Sequence, residues 1–376
     1  MMAQLRSERV GKNRENTSME FLYLLEDLRN FKSTIASDKI YGIIGLTDRK
    51  DQFVVDYNKK SEEVFTDLAV SELQTGSLDI LSHCVEVPGK QRSLAHLPSW
   101  VPDWTCSGWV EPFRVRGLKA NACGNSSAKF TIDVKSGTLY IKGKIMDKIS
   151  KVEMKKSIPR TPGVSSPHQK NDPSRLWDSK HWNKEWVVLQ READKAVCQN
   201  ILDMAFPEKI CTPQTWENLW RTFMCNRTRE NDVPSDDCAS GFDVHLKLVI
   251  QDGGGPLQVL QELTQHQISQ HGLSSEEAED FYVSRKMAWE TLQGANSKWC
   301  YHRRFFRSEE GRFGWIADGG QPGDVIAMFY GGDYPFVLRP GQDGEYRILG
   351  DCYLHGMMEG EALNDTNISE TEFKIV

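Results

Sequence analysis

Apolar residues recur at intervals of three and four over Phe21, Leu22, Leu25 and Leu28, which predicts a helix beginning near Met19. A second short helix follows Ser37, a good N-cap, and carries Ile40, Tyr41, Ile44 and Leu46. Phe53-Val54-Val55-Asp56-Tyr57 reads as extended, and Val64, Phe65, Leu68 and Leu73 mark the apolar face of a helix over 58–73. Leu97-Pro98-Ser99-Trp100-Val101-Pro102-Asp103-Trp104 must be extended or turned, because each proline restricts itself and the residue before it. The period then changes from 3.6 to 2. Phe130, Ile132 and Val134 alternate, Ser136-Gly137 breaks the run, and Leu139, Ile141 and Ile145 resume it, which predicts a hairpin over 129–152 with Lys and Asp outward.

Residues 155–180 are rich in Pro, Ser, Lys and Asp and read as a surface loop. Helical spacing returns from Trp186 to Phe223, while 231–252 is irregular and Asp252-Gly253-Gly254-Gly255-Pro256 is a flexible break. A further helical patch after Ser274 carries Phe281, Tyr282, Met287 and Trp289. Strands resume at 303–306 and 312–316. Three more apolar segments between 322 and 356 are separated by Gly331-Gly332-Asp333 and Gly341-Gln342-Asp343-Gly344, the turn chemistry of an antiparallel meander.

The hairpin and the later strands are too few, or too open at their edges, to stand alone. They are expected to share one sheet. The predicted fold is therefore α+β: an N-terminal helical segment, then an antiparallel β meander or small barrel interrupted by a helical insertion. The expected divisions are a disordered N-terminus (1–18), a helical region (19–104), a β-domain (105–152 and 296–363), a loop (153–182), the helical insertion (183–295) and a tail (364–376).

Composition narrows the function. The 376 residues are 39% hydrophobic and 26% charged, with a net charge of −7. Mild acidity gives no electrostatic pull toward nucleic acid or an anionic membrane. No apolar run approaches the ~18 residues that span a bilayer, and Met1 to Asn16 lacks the apolar core of a signal peptide. Nine cysteines, an odd count without regular spacing, do not read as a secreted disulfide framework. The expectation is a cytoplasmic protein with reduced thiols.

Little of the sequence points to catalysis or metal binding. Cys352 and His355 lie three apart, Cys300 and His302 two apart, and His83 adjoins Cys84, but no pair has the second half of a zinc site. Cys352 with His355 or His302 could form a nucleophilic pair, although a Cys in mid-strand is more often a small buried hydrophobe. The Gly-rich break lacks the Lys-Ser/Thr of a phosphate loop. Accordingly no cofactor, metal or catalytic residue is expected.

The residues from 38 onward resemble, block by block, the fungal heterokaryon-incompatibility proteins. The blocks are Asp38-Lys39-Ile40-Tyr41-Gly42-Ile43-Ile44-Gly45-Leu46, then Asp56-Tyr57-Asn58-Lys59-Lys60-Ser61-Glu62-Glu63-Val64-Phe65, then the Leu97–Trp104 run. After them come Pro322-Gly323-Asp324, Pro335-Phe336-Val337-Leu338-Arg339-Pro340 and Gly350-Asp351-Cys352-Tyr353-Leu354-His355-Gly356. The family's upstream Leu-Ser-Tyr-x-Trp-Gly and Trp-Ile-Asp-x-x-Cys-Ile-Asn-Gln segments, attributed to a signalling lobe, do not occur here.

The resemblance implies a non-enzymatic regulatory or interaction module in fungal allorecognition, or a truncated, inactive member. Its partners would be other proteins of the family or a second copy, with neither nucleic acid nor membrane. Trp100, Trp104, Arg339, Asp351, His355 and Glu359 are the candidate interaction surface. Phe21, Leu25, Tyr41 and Phe65 are candidates for apolar surface left uncovered by the missing lobe. The alternative is a small-molecule-binding or hydrolytic domain using Cys352 and His355.

Overall fold

A computed structural model describes residues 17–47, 53–86, 94, 96–106, 110–154, 184–250 and 256–376. The N-terminus expected as disordered lies outside them except for Thr17 and Ser18. So do the 153–182 loop beyond Met154 and the Gly-rich break apart from Pro256. The helices are α1 (Thr17–Asp27), α2 (Asp38–Ile44), α3 (Ser61–Gln74), α4 (Phe113–Arg116), α5 (Lys184–Ala205), α6 (Pro213–Phe223), α7 (Cys238–Ile250), α8 (Pro256–His271), α9 (Ser275–Trp299) and α10 (Glu361–Asn364). The strands are β1 (Phe130–Asp133), β2 (Thr138–Val152), β3 (Arg303–Ser308), β4 (Phe313–Ala317), β5 (Val325–Phe329), β6 (Phe336–Pro340), β7 (Glu345–Asp351), β8 (Tyr353–Leu354) and β9 (Glu370–Ile375). A 3-10 helix spans Asp79–His83. The fold is α+β, as the change of period predicts.

The chain divides into two compact units. The first comprises Met1–Asp147, Gly323–Cys352 and Met357–Val376. Its strands close on themselves: β2 pairs with β9, β9 with β7, β7 with β6, β6 with β5, and β5 again with β2. Tyr330 N–H donates to the Lys142 carbonyl at that last junction (3.1 Å). A Cβ on Gly143 would lie 2.1 Å from the Met328 carbonyl oxygen, so only glycine allows β2 and β5 to approach there. β2 with β9, β7 with β6 and β6 with β5 pair antiparallel, whereas β7 with β9 is parallel at Glu345↔Lys374 and Tyr346↔Ile375. Residues 364–376, expected as a tail, thus carry a strand of the ring. Alternation explains it: Phe373 and Ile375 are fully buried, while Glu370 and Glu372 face out.

Inside the ring Leu139, Ile141, Phe329, Phe336, Leu338, Phe373 and Ile375 share a core with Phe21, Leu25, Ile40, Phe65 and Leu68 of α1 to α3. The spacing that predicted those helices is the spacing of their buried faces. Lys144, expected on a solvated strand face, is buried instead. Its Nζ donates to the carbonyls of Ala362, Leu363 and Asp365 at 2.9, 3.3 and 3.1 Å, satisfying groups that the end of α10 leaves open.

The second unit comprises Lys148–Pro322 and Tyr353–Gly356. The end of β2 pairs with β3 (Ile149↔Ser308, Lys151↔Arg307), β3 with β4, and β4 with β8, all antiparallel. Residues expected in one β-domain therefore fall in two units, because β2 is 15 residues long and supplies a strand to each. Thr212 and Pro213 start α6: Thr215 N–H donates to the Thr212 hydroxyl (3.1 Å), and proline sits where no donor is needed. Ser274 and Glu277 form a capping box at α9 (2.8 and 3.3 Å). The irregular stretch expected over 231–252 contains α7. Its Gly241 reads as a helix breaker but lies against α9, where a Cβ would meet the Ala288 carbonyl oxygen at 2.4 Å.

Candidate functional site

Charged side chains lie on the apolar side of the first helix. Glu26 follows Leu22 by four residues and Arg29 follows Leu25 by four, so both point where the core is, and both are buried. The Glu26 carboxylate accepts from Arg29 Nη1 (2.9 Å) and from His83 Nδ1 (2.8 Å). Arg29 donates in addition to the carbonyls of Cys106 (2.9 Å), Asp103 (3.1 Å) and His83 (3.2 Å), and its guanidinium lies 5.1 Å from the Trp104 ring centre. Burial alone would raise the Glu26 pKa, but the Arg29 charge and the His83 hydrogen bond outweigh it and hold the carboxyl at about 2.

Beside this clasp a recess with room for about one water molecule is lined by Leu22, Tyr23, Asp79, Ser82, His83 and Arg114. Arg114 pairs with Asp79 (2.7 Å) and Asp333 and lies over the Tyr334 ring. A carboxylate orienting an imidazole is half of a nucleophilic arrangement. Among the described residues no hydroxyl or thiol hydrogen-bonds His83, and the carboxylate is shared with a guanidinium. The cluster therefore fastens α1, the 3-10 helix and the 97–106 segment into one body.

The sequence-derived candidates do not form one surface. Trp100 and Trp104 are buried, with Trp100 Nε1 donating to the Gly137 carbonyl (2.8 Å), so neither offers an exposed platform. Arg339 on β6 makes a two-pronged bond to Asp324 (3.0 Å each) and approaches Glu86 (3.8 Å). Asp351 is buried and accepts from Phe113 N–H (2.7 Å), capping α4. Glu359 is exposed in the turn before α10. His355 is in the second unit, and its Nδ1 hydrogen-bonds the Tyr353 hydroxyl (2.8 Å). Burial, with the Arg221 charge nearby, lowers its pKa to about 4, so the ring is neutral at pH 7. Cys352 is fully buried on the ring side of the unit boundary, and nothing in this arrangement favours the hydrolytic alternative.

Phe21, Leu25, Tyr41 and Phe65, expected as uncovered surface, are core residues. Among the large apolar side chains of the first unit that do face solvent are Phe31, Ile35, Leu46, Val54, Val55, Tyr57 and Val134, with Val54 88% exposed. Phe31, Ile35 and Leu46 flank α2 in the chain, and Tyr57 contacts it. Lys39 of α2 donates to the Phe31 carbonyl, Asp38 N–H to the Ile35 carbonyl (3.1 Å), and the Tyr57 hydroxyl to Asp38 (3.0 Å). Tyr57 also meets Tyr41 edge-on at 5.3 Å. The signal was available in the sequence: Val54 and Val55 are adjacent in an extended segment, so they cannot both point into one core. Phe31 follows Leu28 by three and Ile35 follows Phe31 by four, so their spacing continues that of the first helix, but the helix ends at Asp27 and both side chains are exposed.

Comparison with known proteins adds a likeness over part of the chain. Residues 278–376 match the family model of the Het-6 beta-barrel domain. A stretch of 67 residues is 40% identical to heterokaryon incompatibility protein 6, OR allele, of Neurospora crassa. That stretch covers 17% of this chain and 10% of the Neurospora protein. No solved structure matches the chain. The two matches support a heterokaryon-incompatibility-type protein of fungal origin.

Proposed function

We propose that this chain is a non-enzymatic interaction module in fungal allorecognition, and that it acts by docking another protein on the apolar face around α2. The first partner to expect is a second copy of the chain. The observation that carries the reading is the exposure of Phe31, Ile35 and Leu46, which flank α2, and of Val54, Val55 and Tyr57 in the segment that reaches it through Tyr57, since exposed apolar area of that kind drives association. The face is rigid. The Glu26–Arg29–His83 clasp fixes the helix that leads into it, and the Tyr57–Asp38 and Tyr41–Asp56 contacts fix its other side. Support against a catalytic role comes from the polar clusters themselves, whose carboxylates and imidazoles are engaged with one another.

Sedimentation of the purified chain over a range of concentrations tests the docking. The expected result is a concentration-dependent dimer that Val54→Asp returns to monomer. A wild-type chain that stays monomeric and binds no full-length relative would overturn the reading. Inducible expression in a fungal host with a viability count tests the module role separately: the chain alone is expected to leave the host alive. Death at levels where a full-length relative kills would place an effector function here.

A further inference from the structure

Two sulfurs in the second unit are in contact. Cys225 follows α6 and Cys300 follows α9; both are buried, and their Sγ atoms lie 3.7 Å apart. The backbone around them is held on both sides. Asn296 Nδ2 donates to the Phe223 carbonyl (2.6 Å), and Trp299 Nε1 to the carbonyls of Arg227 and Thr228 (3.3 and 3.2 Å). Trp315 Nε1 donates to the Thr222 carbonyl (2.7 Å), and the Cys300 thiol reaches the Phe223 carbonyl at 3.4 Å. Fixing two reactants this close gives a high effective concentration of one thiol at the other. A disulfide places its sulfurs about 2 Å apart, so bonding asks for a shift of under about 2 Å. Three other cysteines lie in this unit. Cys198 is pushed up to about 12 by burial, burial also raises Cys238, and Cys211 is exposed.

We propose that Cys225 and Cys300 form a modification site, an intramolecular disulfide made by hydrogen peroxide and reversed by a thiol reductant. The more exposed Cys300 reacts first. Its thiolate sulfur bonds one peroxide oxygen, the O–O bond breaks, and the departing hydroxide takes a proton to leave as water. The Cys225 thiolate then bonds that sulfur, the S–O bond breaks, and the second hydroxide leaves as water with another proton. Two thiols lose two electrons and two protons, and one peroxide becomes two waters.

The bond joins positions 75 residues apart and encloses α7, α8 and α9. It therefore restricts the unfolded chain, and the second unit melts higher when it is present. The test treats the folded, purified chain with hydrogen peroxide, blocks remaining thiols, and maps peptides without reduction. The expected product is a Cys225–Cys300 linked peptide lacking two hydrogens, with a melting midpoint raised on the order of 10 °C and restored by dithiothreitol. Cys225→Ser and Cys300→Ser should each abolish the difference between the oxidised and reduced midpoints, whatever their own stability. Full blocking of both thiols after peroxide, or a midpoint shift that survives in either variant, would overturn the proposal.

Discussion

Glu26 keeps its charge in the core because Arg29 and His83 are already there to meet it, and the consequence is measurable in acid. Its folded pKa, about 2, lies below the ordinary 4.5 of a glutamate carboxyl. A depressed carboxyl contributes stability that is complete above pH 4.5 and is lost as the pH falls toward 2. The contribution is on the order of 3 kcal/mol. Chemical unfolding at stepped pH should show that loss in the wild type, and Glu26→Gln should flatten the slope. The same variant leaves Arg29 buried without its carboxylate and should cost about 3 kcal/mol or more at pH 7. An unchanged slope with an unchanged midpoint would show that the clasp contributes nothing. His245 runs the same way through a different cause. Burial lowers its pKa to about 4, and its Nδ1 is hydrogen-bonded to Gln293 (2.7 Å).

At the level of elements, the sequence was legible where one period ruled and opaque where a residue served two purposes. α1 and α3 were visible because their buried residues repeat at helical spacing, and the β1–β2 hairpin because its alternation is strong. α7 lies in a stretch that the sequence reads as irregular, and its Gly241, the residue type least suited to a helix, is what allows its approach to α9. Gly241→Ala would set a Cβ 2.4 Å from the Ala288 carbonyl oxygen. That obstacle is backbone and cannot rotate away, so unfolding experiments should show a loss of about 1–3 kcal/mol. A stability equal to wild type would mean that the two helices are not in close contact. β9 falls in the residues expected as a tail, where Glu370, Glu372 and Lys374 alternate with Thr371, Phe373 and Ile375 in a strand too short to stand out beside the meander. The candidate surface misled for a related reason: letters that define the resemblance, such as Trp100 and Asp351, are those the fold buries.

For the molecule as a whole, the buried histidines and the clasp divide acid unfolding. His245 and His355 belong to the second unit, and each has its pKa lowered to about 4. A histidine kept neutral by burial contributes stability above its unfolded pKa of about 6.5 that is lost as the pH falls toward 4. The second unit should therefore weaken between about pH 6.5 and 4, and the first, through Glu26, only below about 4.5. Hydrogen exchange at stepped pH should show α7 and α9 losing protection before α1 and α3; the reverse order would refute the assignment. The strand β9 carries a different consequence. It sits between β2 and β7, Val376 N–H donates to the Tyr346 carbonyl, and Ser99 N–H donates to that of Val376 (3.0 Å each). During synthesis Leu139 and Ile141 emerge more than half a chain before Phe373, which packs beside them. The ring of the first unit therefore cannot close until β9 has been made, and Leu139 and Ile141 lack Phe373 for all of the intervening synthesis.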